Sequence, residues 1–471
     1  MESVVMEATN RKVSSHAPTK SQIIDRRSRQ LLEGPVLPTL LRLAAPTAGL
    51  MILQGVISAG EAAFVGQLGP AFLAGASLSF PLVMLMTTLS AGAFGGGVSS
   101  GIARAIGAGR IDDASRLSGT ALTLGSMLGM LFSAVMLTGG RAIYSGLGAT
   151  GASLEAAIRY SDIIFIGALP FWLFNAAASI LRAGGNAAFP AAAGAVGGVL
   201  TLAISPLLIF GFGPLPAYGL SGAASAIVAY NVGMAIILVW KVWNDRTPGR
   251  PRVVFLVPQT RFVLEILRVS VPSAASTVLT NLTFIVLTGL VTPFGEAATA
   301  GYGSAGRLEY LLIPIVFGVG SALVPLVAAS DGAGDFARVK QLTRAGVVLA
   351  AGTCGLIGAT VAVFPQGWMN LFTNDLQVKE FGIAYLSRVG PAYLFLGLGL
   401  SLYFVSQGRG RTTRPLLASG ARLLVAGLGG MIMLRYLAGS LDDLFALMAG
   451  GLIFYGMIMV IIMRRELGLA R

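Results

Sequence analysis

From about Leu40 onward the chain is a succession of long apolar runs broken by short polar or Gly/Pro-rich stretches. Crossing the ~30 Å hydrocarbon core of a bilayer takes a helix of about 20 apolar residues, and about a dozen runs meet that length. The pattern predicts spans at 40–67, 72–103, 116–139, 154–181, 188–211 and 218–240, then at 262–292, 297–329, 342–365, 377–406, 414–437 and 444–463. Lipid cannot satisfy exposed backbone groups, and no alternating pattern of barrel strands is visible, so each span is predicted to be a helix. Residues 1–39 are polar and basic (Arg11, Lys12, Lys20, Arg26, Arg27, Arg29) with no apolar core of their own. They exclude a cleavable secretion signal and predict a disordered tail.

The runs are written twice. The stretch Leu40–Gly75 recurs 226 residues downstream without a gap: Arg42 and Pro46 return as Arg268 and Pro272, and Val65, Gly69 and Gly75 as Val291, Gly295 and Gly301. Later anchors slip by one residue, so that Gly185 and Pro190 return as Gly410 and Pro415. A unit of this length is far longer than a solenoid repeat, and paired halves in an apolar chain are the usual mark of secondary transporters. The predicted organisation is a tail (1–39), a first six-helix bundle (40–240), a linker (241–261) and a second bundle (262–471).

Composition agrees with a membrane protein: 55% of residues are hydrophobic, 11% are charged and the mean hydropathy is +0.79, against about 25% charged residues in soluble domains. The net charge of +13 points first to nucleic acid, but its distribution gives another reading. With twelve spans threaded, 26 of the 33 Lys and Arg residues fall on one face, Arg182 among them. That asymmetry predicts a multi-pass protein of the cell membrane with both termini cytoplasmic, and no nucleic-acid partner. The single cysteine, Cys354, lies in the ninth span and the single histidine, His16, in the tail. Neither a zinc site nor a Ser-His-Asp triad can be assembled from them, and no full nucleotide-binding fingerprint appears.

The order "LLRLAAPTAGLMILQGVISAGEAAFVGQLGP", "GIARAIGAGRIDDASRL", "SILRAGGNAAFPA", "AYGLSGAASAIVA", "GYGSAGRLEYLLIPI" and "SQGRGRTTRP" resembles the multidrug and toxic compound extrusion (MATE) transporters over nearly everything after residue 35. The resemblance is closer to the DinF-like branch than to the NorM-like one. It implies two six-helix bundles related by a pseudo-twofold axis along the membrane normal, around a central cavity that opens alternately to each side.

Three acids fall well inside the spans: Glu61, Asp162 and Glu309. A carboxylate at membrane depth is costly and marks a functional candidate. Glu61 shares a helical stripe with Thr47, Gln54 and Ser58, at the place where the family carries an acid in "vDxxfvGxLG". Burial disfavours the charged form of a carboxylate, which suits Glu61 to exchange a proton; the alternative is that it snorkels to the headgroups. Asn175, Ser179, Thr201 and Ser205 are candidate partners in neighbouring spans, or they bond back to their own helices. DinF-like members typically read "NxxLDP" in the fifth span where this chain has "TLAISP". With one carboxylate left, proton coupling is expected over sodium.

In the second half the acid of NorM-like members is replaced by Asn281, on a face with Ser273 and Thr277. Arg307 and Glu309 match the "RxE" of DinF-like members but cannot face each other on one helix. Arg388 and Arg422 are candidate partners for Glu309, in a structural ion pair or a substrate site. Asp162 is expected to pair with Arg159. Phe64, Phe165, Trp172, Phe284 and Tyr310 are candidate cavity aromatics for stacking and cation-π contacts. Pro46 is either a hinge coupled to protonation or a fixed kink.

The expected function is cation-coupled efflux of amphipathic organic cations by alternating access, with no enzymatic activity, cofactor, metal site or obligate protein partner. The alternative is a flippase for lipid-linked sugars, for which Arg307, Arg388 and Arg422 would supply a cationic cavity.

Overall fold

The computed structural model describes residues 26–467 except 147–149, 215, 245–248 and 438. Among the described residues the protein is all helical, with no strand. Eleven helices are long and apolar enough to cross a membrane, and a bent pair, Gly151–Ile166 with Ala168–Ala183, makes the twelfth span. The spans in order are Val36–Gly66, Gly75–Gly107, Ile111–Gly146, the bent pair, Ala188–Phe210 and Leu220–Asn244, then Thr260–Phe294, Glu296–Gly332, Phe336–Val363, Leu376–Gly408, Thr413–Tyr436 and Leu441–Glu466. The fourth span bends by 46° at Gly167. Pro170, three residues on, has no N–H for the preceding turn, which is the usual cause of such a kink.

The expected tail ends earlier than the polar pattern suggested. Arg26–Glu33 is a helix and Val36–Thr39 already belong to the first span; residues 1–25, His16 included, lie outside the described residues. Leu31 is what orders this helix, since it is 2% exposed and packs into the core of the second bundle. Leu32 packs against the core of the first bundle. The guanidinium of Arg338 donates to the carbonyls of Leu31 at 3.1 Å and Gly34 at 2.7 Å, satisfying groups that a helix C-terminus leaves open. The connection between bundles is also docked, not free: Val253–Leu256 forms a turn against the third span, where Thr123 Oγ1 donates to the Leu256 carbonyl at 2.6 Å.

The repeat is visible as paired contacts. Gly75 lies against Ala156 and its copy Gly301 against Phe381; Gly95 lies against Ser179 and Gly320 against Phe404. Two contacts cross between the bundles reciprocally: Gly107 abuts the backbone of Ala329, and its copy Gly332 abuts the backbone of Arg104, the copy of Ala329. Such an exchange requires an approximate twofold axis running between the second and eighth spans.

These crossing contacts gather at one end of the molecule, where the described chain begins at residue 26 and finishes at residue 467, called here the terminus-bearing end. There Gly97 meets Ser270, Ser100 Oγ donates to the Gly408 carbonyl at 3.1 Å, and Arg104 donates to the same carbonyl at 3.0 Å. At the opposite end the apolar cluster of Val65, Ala156, Ile209, Leu220 and Ala223 is built from the first bundle alone. The bundles are therefore sealed together at the terminus-bearing end.

Candidate functional site

Directly above that seal lies a cleft between the bundles, lined by Gly92, Gly95, Gly96, Ser99 and Arg182 on one side and Phe317, Ser321, Phe404 and Gln407 on the other. Close approach builds it. A π-helical turn at Thr88–Phe94 re-registers the second span, and the glycines that follow leave room for Gln407, which a Cβ at Gly96 would overlap. Gln407 donates to the Gly92 carbonyl and to Ser273 Oγ, both at 3.2 Å, tying the bundles at the floor. Phe317 and Phe404 stand edge to face, 5.8 Å apart, a favourable aromatic arrangement.

Glu61 lies within the first bundle, toward the end away from the seal. Ile57 fills the notch at Gly198, and Leu202 lies over Gly60, so the first and fifth spans pack closely just before Glu61. Tyr160 and Phe64 both pack against the cluster that contains Val65, and Tyr160 is within electrostatic reach of Glu61. Glu61 Oε1 is buried without a hydrogen-bond partner, as is the hydroxyl of Ser205 on the fifth span. Among the described residues no cation pairs with this carboxyl. Gln54, two turns before Glu61, reaches the Tyr230 hydroxyl on the sixth span.

The other candidates disperse. Asn175 Nδ2 donates to the Phe171 carbonyl and Ser179 Oγ to the Asn175 carbonyl, so both bond back along their own helix. They lie past the Gly167 bend, 15 and 19 residues after Tyr160, several helical turns from the level of Glu61. Thr201 bonds back to Gly197 at 2.8 Å, leaving Ser205 as the uncommitted hydroxyl. Ser58 is exposed, Phe64 is half-buried, and Trp172 and Phe165 are buried in the first bundle's core rather than on the cleft. Asp162 and Arg159 form no ion pair.

In the second bundle Glu309 meets Arg422 at 2.8 Å, their side chains 3% and 7% exposed. Tyr302, Tyr385 and Tyr393 are buried within electrostatic reach of Glu309, and Tyr455 and Tyr385 within reach of Arg422. Phe284 stacks on Tyr310 at 4.9 Å, and the Arg422 guanidinium lies 5.7 Å from the Phe284 ring. Arg388 instead pairs with Asp442 at 2.6 Å, and the exposed Arg307 sits over Phe372. Each of the three arginines is thus committed elsewhere. The three form no common cationic cavity.

The family model MatE matches residues 46–207 and again 272–432, once in each bundle. The chain belongs to the MATE family. A FAD transporter of Shewanella oneidensis is 28% identical over 88% of this chain and 92% of its own length. The multidrug export protein MepA of Staphylococcus aureus is 26% identical over 88% and 94%. Among solved structures, a MOP superfamily transporter from Pyrococcus furiosus superposes with a TM-score of 0.87 at 24% identity, covering 94% of this chain and 98% of that one. The outward-facing conformation of a multidrug resistance MATE family transporter gives 0.85 at 24%, covering 95% and 99%. The fold is the MATE fold, and the protein is a membrane transporter.

Within that fold, the place where NorM-like MATE proteins carry an acid holds Asn281, which is exposed and donates to the Thr277 carbonyl at 2.9 Å. Thr277 Oγ1 in turn donates to the Ser273 carbonyl at 3.1 Å. Arg182, counted in the sequence only as one more charge of the basic face, lines the cleft itself. The signal that would have found it is the repeat, since its copy is Gln407.

Proposed function

We propose that this MATE protein is a proton-coupled exporter of amphipathic organic molecules, organic cations included, working by alternating access in a cell membrane with both termini in the cytoplasm. The observation that carries the reading is Glu61: a carboxyl oxygen buried without partner or counter-cation. An unpaired buried charge is strongly unfavourable, and a proton relieves it. Sodium is the weaker alternative, because Glu61 would be the one carboxylate of such a site, with Thr201 and Ser205 standing where DinF-like members carry Asn and Asp. Arg307 and Glu309 at the DinF-like "RxE" and Asn281 at the place of the NorM-like acid are why we infer a DinF-like placement, from which Thr201 and Ser205 in the fifth span depart.

In the cycle, the state sealed at the terminus-bearing end takes up a proton at Glu61 from the far side. Loss of the charge lets the first span repack against the fifth, with Pro46 as the point of flexure, and substrate leaves. Reopening at the other end releases the proton where substrate rebinds. Proton and substrate thus favour opposite states, as linkage requires. The test is efflux in proteoliposomes under an imposed pH or sodium gradient. Glu61→Gln is expected to abolish pH-driven export of ethidium while the protein inserts normally; undiminished export by that variant, or export driven by sodium alone, would overturn the reading.

A further inference from the structure

We propose that the cleft floor contains an anion-binding subsite built on Arg182, so that the transporter accepts flat aromatic molecules bearing a phosphate or carboxylate as well as organic cations. This rests on the cleft being the transport path. Arg182 lies in the last turn of Ala168–Ala183, but it does not cap that helix. The terminal carbonyls of Ile180, Leu181 and Arg182 accept from the backbone N–H groups of Gly184, Asn186 and Gly185. The guanidinium makes one hydrogen bond, to Ser179 Oγ at 2.8 Å, out of five available donors. Among the described residues no carboxylate pairs with it, and it lines the cleft.

The other arginines drawn into the bundles are matched. Arg104 has Glu265 at 4.0 Å with Ser100 and the Gly408 carbonyl, Arg409 has Asp331 and Glu466, Arg422 has Glu309, and Arg338 takes two carbonyls. The pseudo-twofold axis supplies an internal control. Gln407, the copy of Arg182, is neutral and spends its amide on Gly92 and Ser273, so sealing the floor does not require a cation at this position. A forked guanidinium with free donors is suited to bidentate recognition of phosphate or carboxylate. Phe317 and Phe404 on the facing wall provide the surface for a ring. About 270 Å³ of space lies between them, part of it continuous with the solvent outside the cleft.

The test compares two probes with the same ring, flavin mononucleotide, which carries a phosphate, and riboflavin, which does not. Binding to the purified full-length protein is read by flavin fluorescence for the wild type, Arg182→Gln and Arg182→Lys. Charge-assisted hydrogen bonds of this kind lead us to expect that Arg182→Gln weakens mononucleotide binding about tenfold or more. Riboflavin binding should change less than about twofold, and Arg182→Lys should keep part of the phosphate preference. Equal losses for both flavins, or a wild type that does not prefer the phosphate, would overturn the subsite. Ethidium export under a pH gradient is measured alongside: its absence in the wild type would sink the export reading, while the flavin comparison still judges Arg182 independently.

Discussion

Glu309 and Arg422 show how a charge is tolerated inside this bundle. Their ion pair is nearly closed to solvent, and burying two charges is repaid only when each keeps its partner. Replacing one of them by an isostere, as in Glu309→Gln or Arg422→Met, is therefore expected to cost about 3–5 kcal/mol. The joint replacement Glu309→Leu with Arg422→Met should recover most of that loss, read as thermal melting in detergent. By contrast, the Arg388–Asp442 pair is 38% and 55% exposed, and Asp442→Asn should cost less than about 1 kcal/mol. Sequence spacing identified Glu309 as an acid needing a partner and named Arg422 among two candidates. It had no means of separating Arg422 from Arg388, because that choice is made by how the tenth and eleventh spans rotate against the eighth. Arg182 escaped notice for a related reason: one arginine at a helix end reads as a topology signal until the side chain is seen to turn into the cleft.

At the scale of elements, the twelve spans were legible nearly to their ends, since apolar length alone sets them. The short helix Arg26–Glu33 was not. It has too few apolar residues to announce itself, and its order comes from Leu31 and Leu32 reaching into different bundles. Leu31 also touches Gly185 of the first bundle, while the carbonyls beside it accept from Arg338 of the second. The helix is thus a strap across the seal, and separating the bundles at this end must undock it. Leu31→Ala removes buried contact worth roughly 2 kcal/mol, which, acting on the sealed state alone, shifts the conformational balance by more than about tenfold. In a Cys354→Ser background, a cysteine placed at Ser321 should react faster with a membrane-impermeant thiol reagent applied from the terminus-bearing side once Leu31→Ala or Arg338→Met is added. Unchanged labelling would mean that the strap carries no conformational bias.

For the whole molecule, the duplication seen in the sequence became a statement about mechanics. Gly107 and its copy Gly332 take their meaning from an exchange of contacts: each abuts the backbone of the other bundle, at Ala329 and at Arg104. Because the axis relates the two contacts, both close together when the end seals and both separate when it opens. A methyl group at either position has no room in the sealed state and ample room in the open one. Overpacking of this kind costs about 1–3 kcal/mol, enough to change a two-state balance about 5- to 150-fold. Gly107→Ala and Gly332→Ala are therefore expected to give the same phenotype despite lying in different bundles. Both should lower ethidium export and speed labelling at Ser321 from the terminus-bearing side, whereas Gly233→Ala, where a Cβ meets nothing within 4 Å, should leave both readouts at wild-type values. If only one glycine of the pair responds, the seal is not the symmetric, concerted contact that the paired geometry describes.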